Sequence, residues 1–204
     1  IDLSSFIGGF YTQSDISGDI HKFTKLLADA CQKKGVKFHY DTAITKVTHN
    51  NANPVISFIH ENNTYKDNFD GLVICAGVHS KKFADDLGDN VNIYPVKGYS
   101  ITLLLNDKLS MKHSPQVSLL DDKAKIVSSR LGADRFRIAG TAEFNGYNKD
   151  IRADRIDPLV KWCNRLFPSV STEHAVPWAG LRPMTPSMMP KVVSGKLPGI
   201  FYNT

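Results

Sequence analysis

The sequence predicts a mixed fold, with an α/β portion over residues 18–90 followed by an α+β portion over residues 91–190. In the first portion, the run Leu72–Ala76 is continuously apolar, which is typical of a strand buried on both faces in a parallel sheet. In the second portion, apolar and polar residues alternate from Tyr94 onwards, which is typical of antiparallel strands.

The first predicted element is an amphipathic helix that follows Gly18. Asp19 is a suitable N-cap, and Gly35 is the left-handed residue expected just beyond the end of the helix. Apolar residues recur between them at helical spacing, and we expect this face to be buried. Alternation over residues 36–40 then predicts a strand.

Short elements fill the rest of the first portion. Strands are predicted over 44–49, 55–60 and 64–69, with turns over 50–54 and 61–63. A short helix is predicted over 80–87 because its apolar residues keep helical spacing up to Gly88.

The second portion carries longer strands. They are predicted over 94–103, 125–130 and 135–142, and an amphipathic helix over 156–166 ends before Pro168. The glycine and prolines of 178–190 predict a loop-rich segment, and a last strand begins after Gly199.

The amino-acid composition argues against two classes of protein, those that bind nucleic acid and those that span a membrane. With 25 basic and 20 acidic residues the net charge is +5, but the basic residues are scattered, so no nucleic-acid partner is predicted. The positive net charge still permits attraction of the protein to an anionic membrane surface or to an acidic substrate. No apolar run approaches the ~20 residues that span a membrane, and no signal peptide is recognisable. We therefore expect a cytoplasmic protein, with peripheral contact to the inner membrane as the open alternative.

The cysteine and histidine spacings do not predict a metal site. The three cysteines, Cys31, Cys75 and Cys163, lie far apart in apolar stretches, so we expect buried, reduced thiols.

The segment Trp178–Pro186 holds one arginine, Arg182, among a tryptophan, a glycine and two prolines. A planar guanidinium held in such a segment suits a carboxylate, which it binds through two parallel hydrogen bonds. An ordinary loop arginine paired with a neighbouring carboxylate is the alternative.

Several segments occur in an order that resembles a known family: Val73–Gly77, Tyr94–Tyr99, Arg137–Glu143, Trp178–Pro186 and Tyr202–Thr204. They are similar to the FAD-dependent D-amino acid oxidase/dehydrogenase superfamily, and most similar to its bacterial D-amino acid dehydrogenases (small subunit). The resemblance implies part of a glutathione-reductase-like FAD-binding domain over 1–90, an antiparallel-sheet substrate-binding domain over 91–190, and a return to the FAD-binding domain over 191–204.

The same resemblance leads us to expect an internal piece of a longer protein. The family's glycine-rich GxGxxG unit, which holds the FAD pyrophosphate, would precede Ile1, and its Gly-His-Gly segment would follow Thr204. The sequence itself contains no GxGxxG, since Gly8-Gly9 is followed by Phe10.

The implied activity is oxidative deamination of a D-amino acid to a 2-oxo acid and ammonia, by hydride transfer to FAD. The electrons would then pass to a quinone or another respiratory-chain acceptor. Two alternatives stay open: a glycine- or sarcosine-type FAD amine oxidase that uses O₂, and a non-catalytic fragment of such a flavoprotein.

Three residues are implied at the substrate. Arg182 would bind the α-carboxylate, Tyr99 would donate or accept a hydrogen bond, and Glu143 would meet the ammonium group. The alternatives are a packing role for Tyr99 and a solvated strand-end position for Glu143. Trp178 is expected to anchor the core instead of contacting the substrate.

Five residues are implied at the cofactor. Val47 would meet the adenine through its backbone, and the small residues Ala76 and Gly77 would border the pyrophosphate and ribose. Gly180 would let the backbone pass close to the isoalloxazine ring, with Leu181 beside it. A buried strand position for Val47 and a simple strand-to-helix turn at Gly77 are the alternatives.

Overall fold

The computed structural model describes residue 4 and residues 6–204. It divides into two compact units. The first unit holds the chain up to Lys34 together with 97–180, and the second unit holds 35–96 together with 181–204. The predicted boundaries after residues 90 and 190 stay predictions, and residues 1–3 and 5 of the first predicted domain lie outside the described residues.

Helix α1 (Ile20–Lys33) begins and ends where the sequence predicts. The Asp19 carboxylate accepts the backbone N–H of Lys22 at 3.2 Å, and Gly35 has a φ of +92° beyond the last turn. The expected burial of its apolar face is wrong for the described residues, because no residue of α1 is buried by them. Phe23, for example, is 61% exposed.

The strand predicted over 36–40 is absent from the described structure, which is a correction. The segment keeps local extended geometry, since the rings of Phe38 and Tyr40, two residues apart, stack with centroids 5.9 Å apart. A strand needs a hydrogen-bonding neighbour, and no described strand pairs with this segment.

The predicted hairpin of the second unit is confirmed as an antiparallel three-stranded sheet. Its strands are β1 (Thr42–His49), β2 (Pro54–His60) and β3 (Asn63–Asn68), in that order. Asn50 shapes the first turn, where its side-chain oxygen accepts two backbone N–H groups.

A mixed sheet forms the other part of the second unit, with the strands β4 (Leu72–Ile74), β10 (Val192–Ser194) and β11 (Ile200–Asn203). The predicted parallel pairing is confirmed, because β4 runs parallel to β11. Burial on both faces is wrong: Ile74 is 4% exposed, but Val73 is 57% exposed. The apolar run cannot reveal that only one face is covered by the described residues.

The covered face packs against the helix α2 (Ser80–Asp86), which follows a 3₁₀ turn at Gly77–His79. Gly88, with a φ of +72°, follows the end of α2, as predicted. The core of this unit also includes Val47 and Tyr202.

The first unit contains most of a five-stranded sheet, of which residues 94–96 and 181–184 belong to the second unit. Its strands are β5 (Tyr94–Leu104), β6 (Leu119–Asp121), β7 (Ile126–Leu131), β8 (Arg135–Phe144) and β9 (Val176–Met184), in the order β6-β7-β8-β5-β9. The helices of this unit, besides α1, are α3 (Lys108–His113) and α4 (Ala153–Leu166). The core between α4 and the sheet includes Ile101, Phe136, Ile138 and Leu159. The predicted strands and the long helix are confirmed.

The prediction of a loop over 178–190 is wrong for its first part, because β9 continues to Met184. Pro177 and Pro183 lie in this strand, and each lacks the N–H that a ladder uses. The strand tolerates them because β9 is at the edge of the sheet, with a neighbour on one side only among the described strands.

The three cysteines differ in burial, which corrects the expectation that all are buried. Cys163 is buried, Cys31 is half-buried and Cys75 is exposed. Burial raises the pKa of the Cys163 thiol to about 12. Among the described helices, none combines the length and apolar character needed to cross a membrane.

Candidate functional site

A buried ion pair lies within the first unit. The Lys97 side chain is fully buried, and its Nζ lies 2.6 Å from Oε1 of Glu143. The same ammonium donates to the side-chain oxygen of Asn148 and to the backbone oxygen of Asp150, each at 3.0 Å. A buried charge is tolerated when it is paired and its donors are used, as they are here.

Tyr99 and Glu143, both predicted at the substrate, are brought together by the structure. The Tyr99 hydroxyl donates to Oε1 of Glu143 at 2.7 Å. Tyr99 is 2% exposed and Glu143 is 8% exposed, so a solvated strand-end position for Glu143 is wrong. Their contact with a substrate stays a prediction.

The charges around Glu143 hold it ionised. Hydrogen bonds from Lys97 and then Tyr99 lower the pKa of Glu143 to about 2. On the other carboxylate oxygen, Oε2, the Arg155 Nε lies at 3.4 Å and the Arg152 Nη1 at 3.6 Å. Burial is the main cause that raises the pKa of Tyr99, so its hydroxyl stays protonated and remains a donor.

An interruption in β8 explains how Glu143 reaches this position. Phe136 and Ile138 are buried, so strict alternation would bury even-numbered residues and expose residue 143. Thr141 has a φ of +50°, and beyond it the odd-numbered Glu143 is buried instead. The change of parity and the positive φ together indicate a β-bulge at Thr141. It turns Glu143 towards the core side of the sheet, where Lys97 and Tyr99 lie.

Sequence reasoning did not single out Lys97 as a site residue. A signal was present, because Lys97 shares the parity of Tyr99, Ile101 and Leu103 on a strand with period 2. A lysine on the core face of a strand predicts a buried partner.

A second group of polar and aromatic side chains lies on the other face of the same sheet. The Arg137 guanidinium lies over the Trp178 ring, 5.4 Å from its centroid, and an Nη2–H donates to the Ser100 hydroxyl at 3.3 Å. Trp178 is 54% exposed, so its expected role as a core anchor is wrong.

Gly180 makes room for the indole of Trp178. A Cβ built on Gly180 would clash with the Trp178 ring, so any other residue would displace that ring. This local packing is a structural reason for the glycine. The predicted approach of Gly180 to an isoalloxazine ring remains a prediction, as does the cofactor role of the half-buried Leu181.

In the second unit, Ala76 and Gly77 follow the carboxyl end of β4. Gly77 has a φ of +54° and open space where a Cβ would stand. The Ser80 hydroxyl accepts the Ala76 N–H at 3.1 Å and shares a 2.7 Å hydrogen bond with Thr204, which follows β11. The carboxyl ends of neighbouring parallel strands therefore meet here, which is where α/β sheets bind nucleotides.

Val47 lies in β1 and is 2% exposed. Its backbone N–H donates to Oδ2 of Asp86 at 3.2 Å. That N–H therefore has an internal partner, and its predicted contact with adenine stays a prediction.

Arg182 lies in the second unit, near the end of β9, and its side chain is exposed. It makes no hydrogen bond or ion pair with any side chain or backbone atom in the described part of the chain. The alternative of an arginine paired with a neighbouring carboxylate is therefore absent from this structure.

The chain matches a family model described as DAO, FAD dependent oxidoreductase, over residues 2–204. It is 55% identical to D-amino acid dehydrogenase 3 of Mesorhizobium japonicum over 98% of this chain and 48% of that protein. It is 37% identical to D-amino acid dehydrogenase of Dechloromonas aromatica over 97% of this chain and 47% of that protein. The chain thus spans about half the length of the curated relatives it matches.

The fold of this chain is similar to that of proteins with solved structures. Glycine oxidase from Geobacillus kaustophilus superposes with a TM-score of 0.73 at 19% identity, over 88% of this chain and 46% of that one. The match to the family model covers nearly every residue, including the segments around Gly77, Lys97, Glu143 and Arg182. The chain therefore belongs to the DAO family of FAD-dependent oxidoreductases.

Proposed function

We propose that the protein carrying this chain oxidises D-amino acids to 2-oxo acids and ammonia, and that its electrons pass to a quinone-type acceptor. Family membership and the two relatives named D-amino acid dehydrogenase support this proposal. FAD, when bound, would supply the hydride acceptor for the substrate Cα–H bond. Water then converts the imino acid to the 2-oxo acid and releases ammonia.

The turn after β4 fits a nucleotide cofactor. Gly77 leaves the space of a Cβ open at a positive φ, and the small Ala76 precedes it. We infer that these two residues border the phosphate and ribose of FAD. Val47 would meet the adenine through its backbone oxygen, since its N–H is bonded to Asp86. Gly180 and Leu181 complete the proposed cofactor-binding set.

Arg182 is the residue that we assign to the α-carboxylate of the substrate. An exposed guanidinium whose donors have no described partner is available for the two oxygens of an α-carboxylate. Because Arg182 lies within β9, its backbone is fixed before the substrate arrives, which reduces the ordering cost of binding.

Tyr99 and Glu143 form the other proposed contact. The Tyr99 hydroxyl donates to Glu143, and in this proposal its oxygen accepts an N–H of the substrate amine. In this arrangement Tyr99 is the substrate-binding residue. Glu143 acts through it by fixing the direction of the hydroxyl.

The identity of the electron acceptor determines whether the protein would act at a membrane. A quinone is held in the membrane, so transfer to it requires peripheral contact with a lipid surface. The net charge of +5 supports attraction to anionic headgroups. Release of H₂O₂ in air at the turnover rate would contradict this acceptor and favour an O₂-using amine oxidase.

Substitution of Arg182 tests the carboxylate contact. In the complete flavin-loaded protein, Arg182→Gln should raise KM for D-alanine by about 100-fold, because a charge-assisted, two-point contact is lost. Arg182→Lys should raise this KM by a smaller factor. Lys191→Gln is the matched control, since the Lys191 ammonium donates to a backbone oxygen, that of Asn90, and the KM of this variant should be unchanged. An unchanged KM in Arg182→Gln would contradict the assignment.

A further inference from the structure

Arg137 differs from the other arginines of the first unit. Arg135, Arg152, Arg155 and Arg165 each have a nitrogen within 4.0 Å of a carboxylate oxygen. Arg130 donates to three backbone oxygens and to the Ser114 hydroxyl. Among the described residues, Arg137 has neither a carboxylate nor a backbone oxygen as a partner.

The Arg137 side chain is nevertheless held in place. It extends from β8 across the neighbouring strand β5, where Ser100 accepts one N–H, to the indole of Trp178 in β9. Stacking on an aromatic ring covers one face of the guanidinium and leaves its edge open. Only one of its five N–H groups has a partner among the described residues, so the other N–H groups are available to an anion.

Ser129 lies directly opposite Arg137 in the register of β7 and β8, and apolar side chains lie beyond it on the same face. In the register of β7 and β8, Val127 lies opposite Ala139, two residues along β8 from Arg137 and on the same face. Val127 is 42% exposed, and Trp178 is 54% exposed. The next strand adds Leu120, which lies opposite Val127 and is 67% exposed. A ligand at Arg137 would meet its unpaired positive charge with these apolar side chains nearby, whereas Arg135 on the same face is already paired with Asp19.

We propose that Arg137, stacked on Trp178, is a carboxylate-binding subsite for small organic acids. Two oxygens of the ligand accept from the open edge of the guanidinium, and the carbon atoms next to the carboxylate lie against Trp178 and Val127. The identity of the ligand as an amino-acid substrate rests on the proposed function. The binding of a carboxylate at Arg137 does not.

A direct binding measurement tests the subsite without turnover. Propionate is titrated into the complete flavin-loaded protein, and tryptophan fluorescence is followed. Trp162, the other tryptophan of this sequence, is 4% exposed and donates to Asp121, so propionate at Arg137 should not change its emission. We expect a saturable signal with propionate and none with the neutral propionamide. Trp178→Phe should abolish the signal but keep the propionate affinity measured by calorimetry.

Variants decide which arginine is responsible. Arg137→Gln should weaken propionate binding by about tenfold or more, because charge-assisted hydrogen bonds are lost. Arg135→Gln, a neighbour in β8 that is already paired with Asp19, is the matched control and should bind propionate normally. Equal affinity in wild type and Arg137→Gln would overturn the proposal, as would loss of the tryptophan signal in Arg182→Gln alone.

Substrate kinetics then identify the source of the carboxylate. D-Aspartate, D-asparagine and D-alanine are compared in wild type and Arg137→Gln. A rise in KM for D-aspartate alone assigns the subsite to a side-chain carboxylate, and a rise shared by all accepted substrates assigns it to the α-carboxylate. An unchanged KM throughout would overturn the link to substrate. Failure of every D-amino acid to reduce the wild-type flavin, with propionate binding intact, would contradict the proposed function but not the subsite.

Discussion

Lys97 and Glu143 form an ion pair of 2.6 Å between two side chains that are 0% and 7% exposed. The two residues are 46 positions apart and lie on different strands. Their meeting depends on the bulge at Thr141, which changes the parity of β8. The pair also orients Tyr99, so one backbone irregularity links the packing of the sheet to a proposed substrate contact.

Neutralising the acid of this pair should destabilise the first unit. Glu143→Gln removes the counter-charge of a buried ammonium, and an uncompensated buried charge is strongly unfavourable. We expect a clear decrease in the urea midpoint, monitored through Trp162. Glu173→Gln is the matched control because Glu173 is exposed, and its midpoint should match wild type. Equal midpoints for the two variants would contradict the importance of the pair.

Lowering the pH should decrease the stability of the first unit. The pKa of Glu143 is lowered from 4.5 to about 2 in the folded state, so its carboxylate stabilises the fold fully above pH 4.5. That contribution is lost as the pH falls from about 4.5 to about 2. Urea midpoints measured across this range should fall more steeply for wild type than for Glu143→Gln. If the urea midpoint falls equally with pH in wild type and in Glu143→Gln, then Glu143 does not cause the pH dependence of stability.

Close packing at Gly140 predicts a penalty for any side chain there. A Cβ at this position would lie 2.7 Å from Cγ1 of Ile126 and 3.2 Å from Leu159. Gly140→Ala should therefore lower the free energy of unfolding by about 1–3 kcal/mol, as overpacking does. Gly98→Ala is the control, because no atom lies within 4 Å of its Cβ position. A larger loss in Gly98→Ala than in Gly140→Ala would contradict the structure.

The cysteines should react in an order set by their burial. Iodoacetamide at pH 8 should alkylate the exposed Cys75 within minutes and leave Cys163 unmodified, because Cys163 is buried and its thiol pKa is about 12. Peptide mass spectrometry reads out each site. In 8 M urea all three cysteines should react, which serves as the control. Modification of Cys163 before Cys75 in the native protein would contradict the described packing.

Local sequence signals account for the elements that were predicted correctly. Asp19 and Gly35 define the ends of α1 because their effects are confined to one helical turn. The period of 2 in β5 is visible because apolar residues face the core at alternate positions. The resemblance to a family added the roles of Arg182 and Gly77, which periodicity alone could not assign.

Features that depend on distant neighbours were not predictable in this way. Residues 36–40 have the alternation of a strand but no described partner strand. The prolines of β9 predict a loop, and only its place at the sheet edge explains why they are tolerated. The burial of Lys97 depends on Glu143, and the bulge that brings them together leaves no clear pattern in the sequence.

The most direct test of the central claim is reduction of the bound flavin under anaerobic conditions. The complete flavin-loaded protein is mixed with D-alanine or L-alanine, and the flavin absorbance band is followed with time. We predict that D-alanine bleaches this band, that L-alanine does not, and that Arg182→Gln needs about 100-fold more D-alanine for the same rate. An absorbance band that persists with D-alanine and with a panel of other D-amino acids would contradict the proposed function.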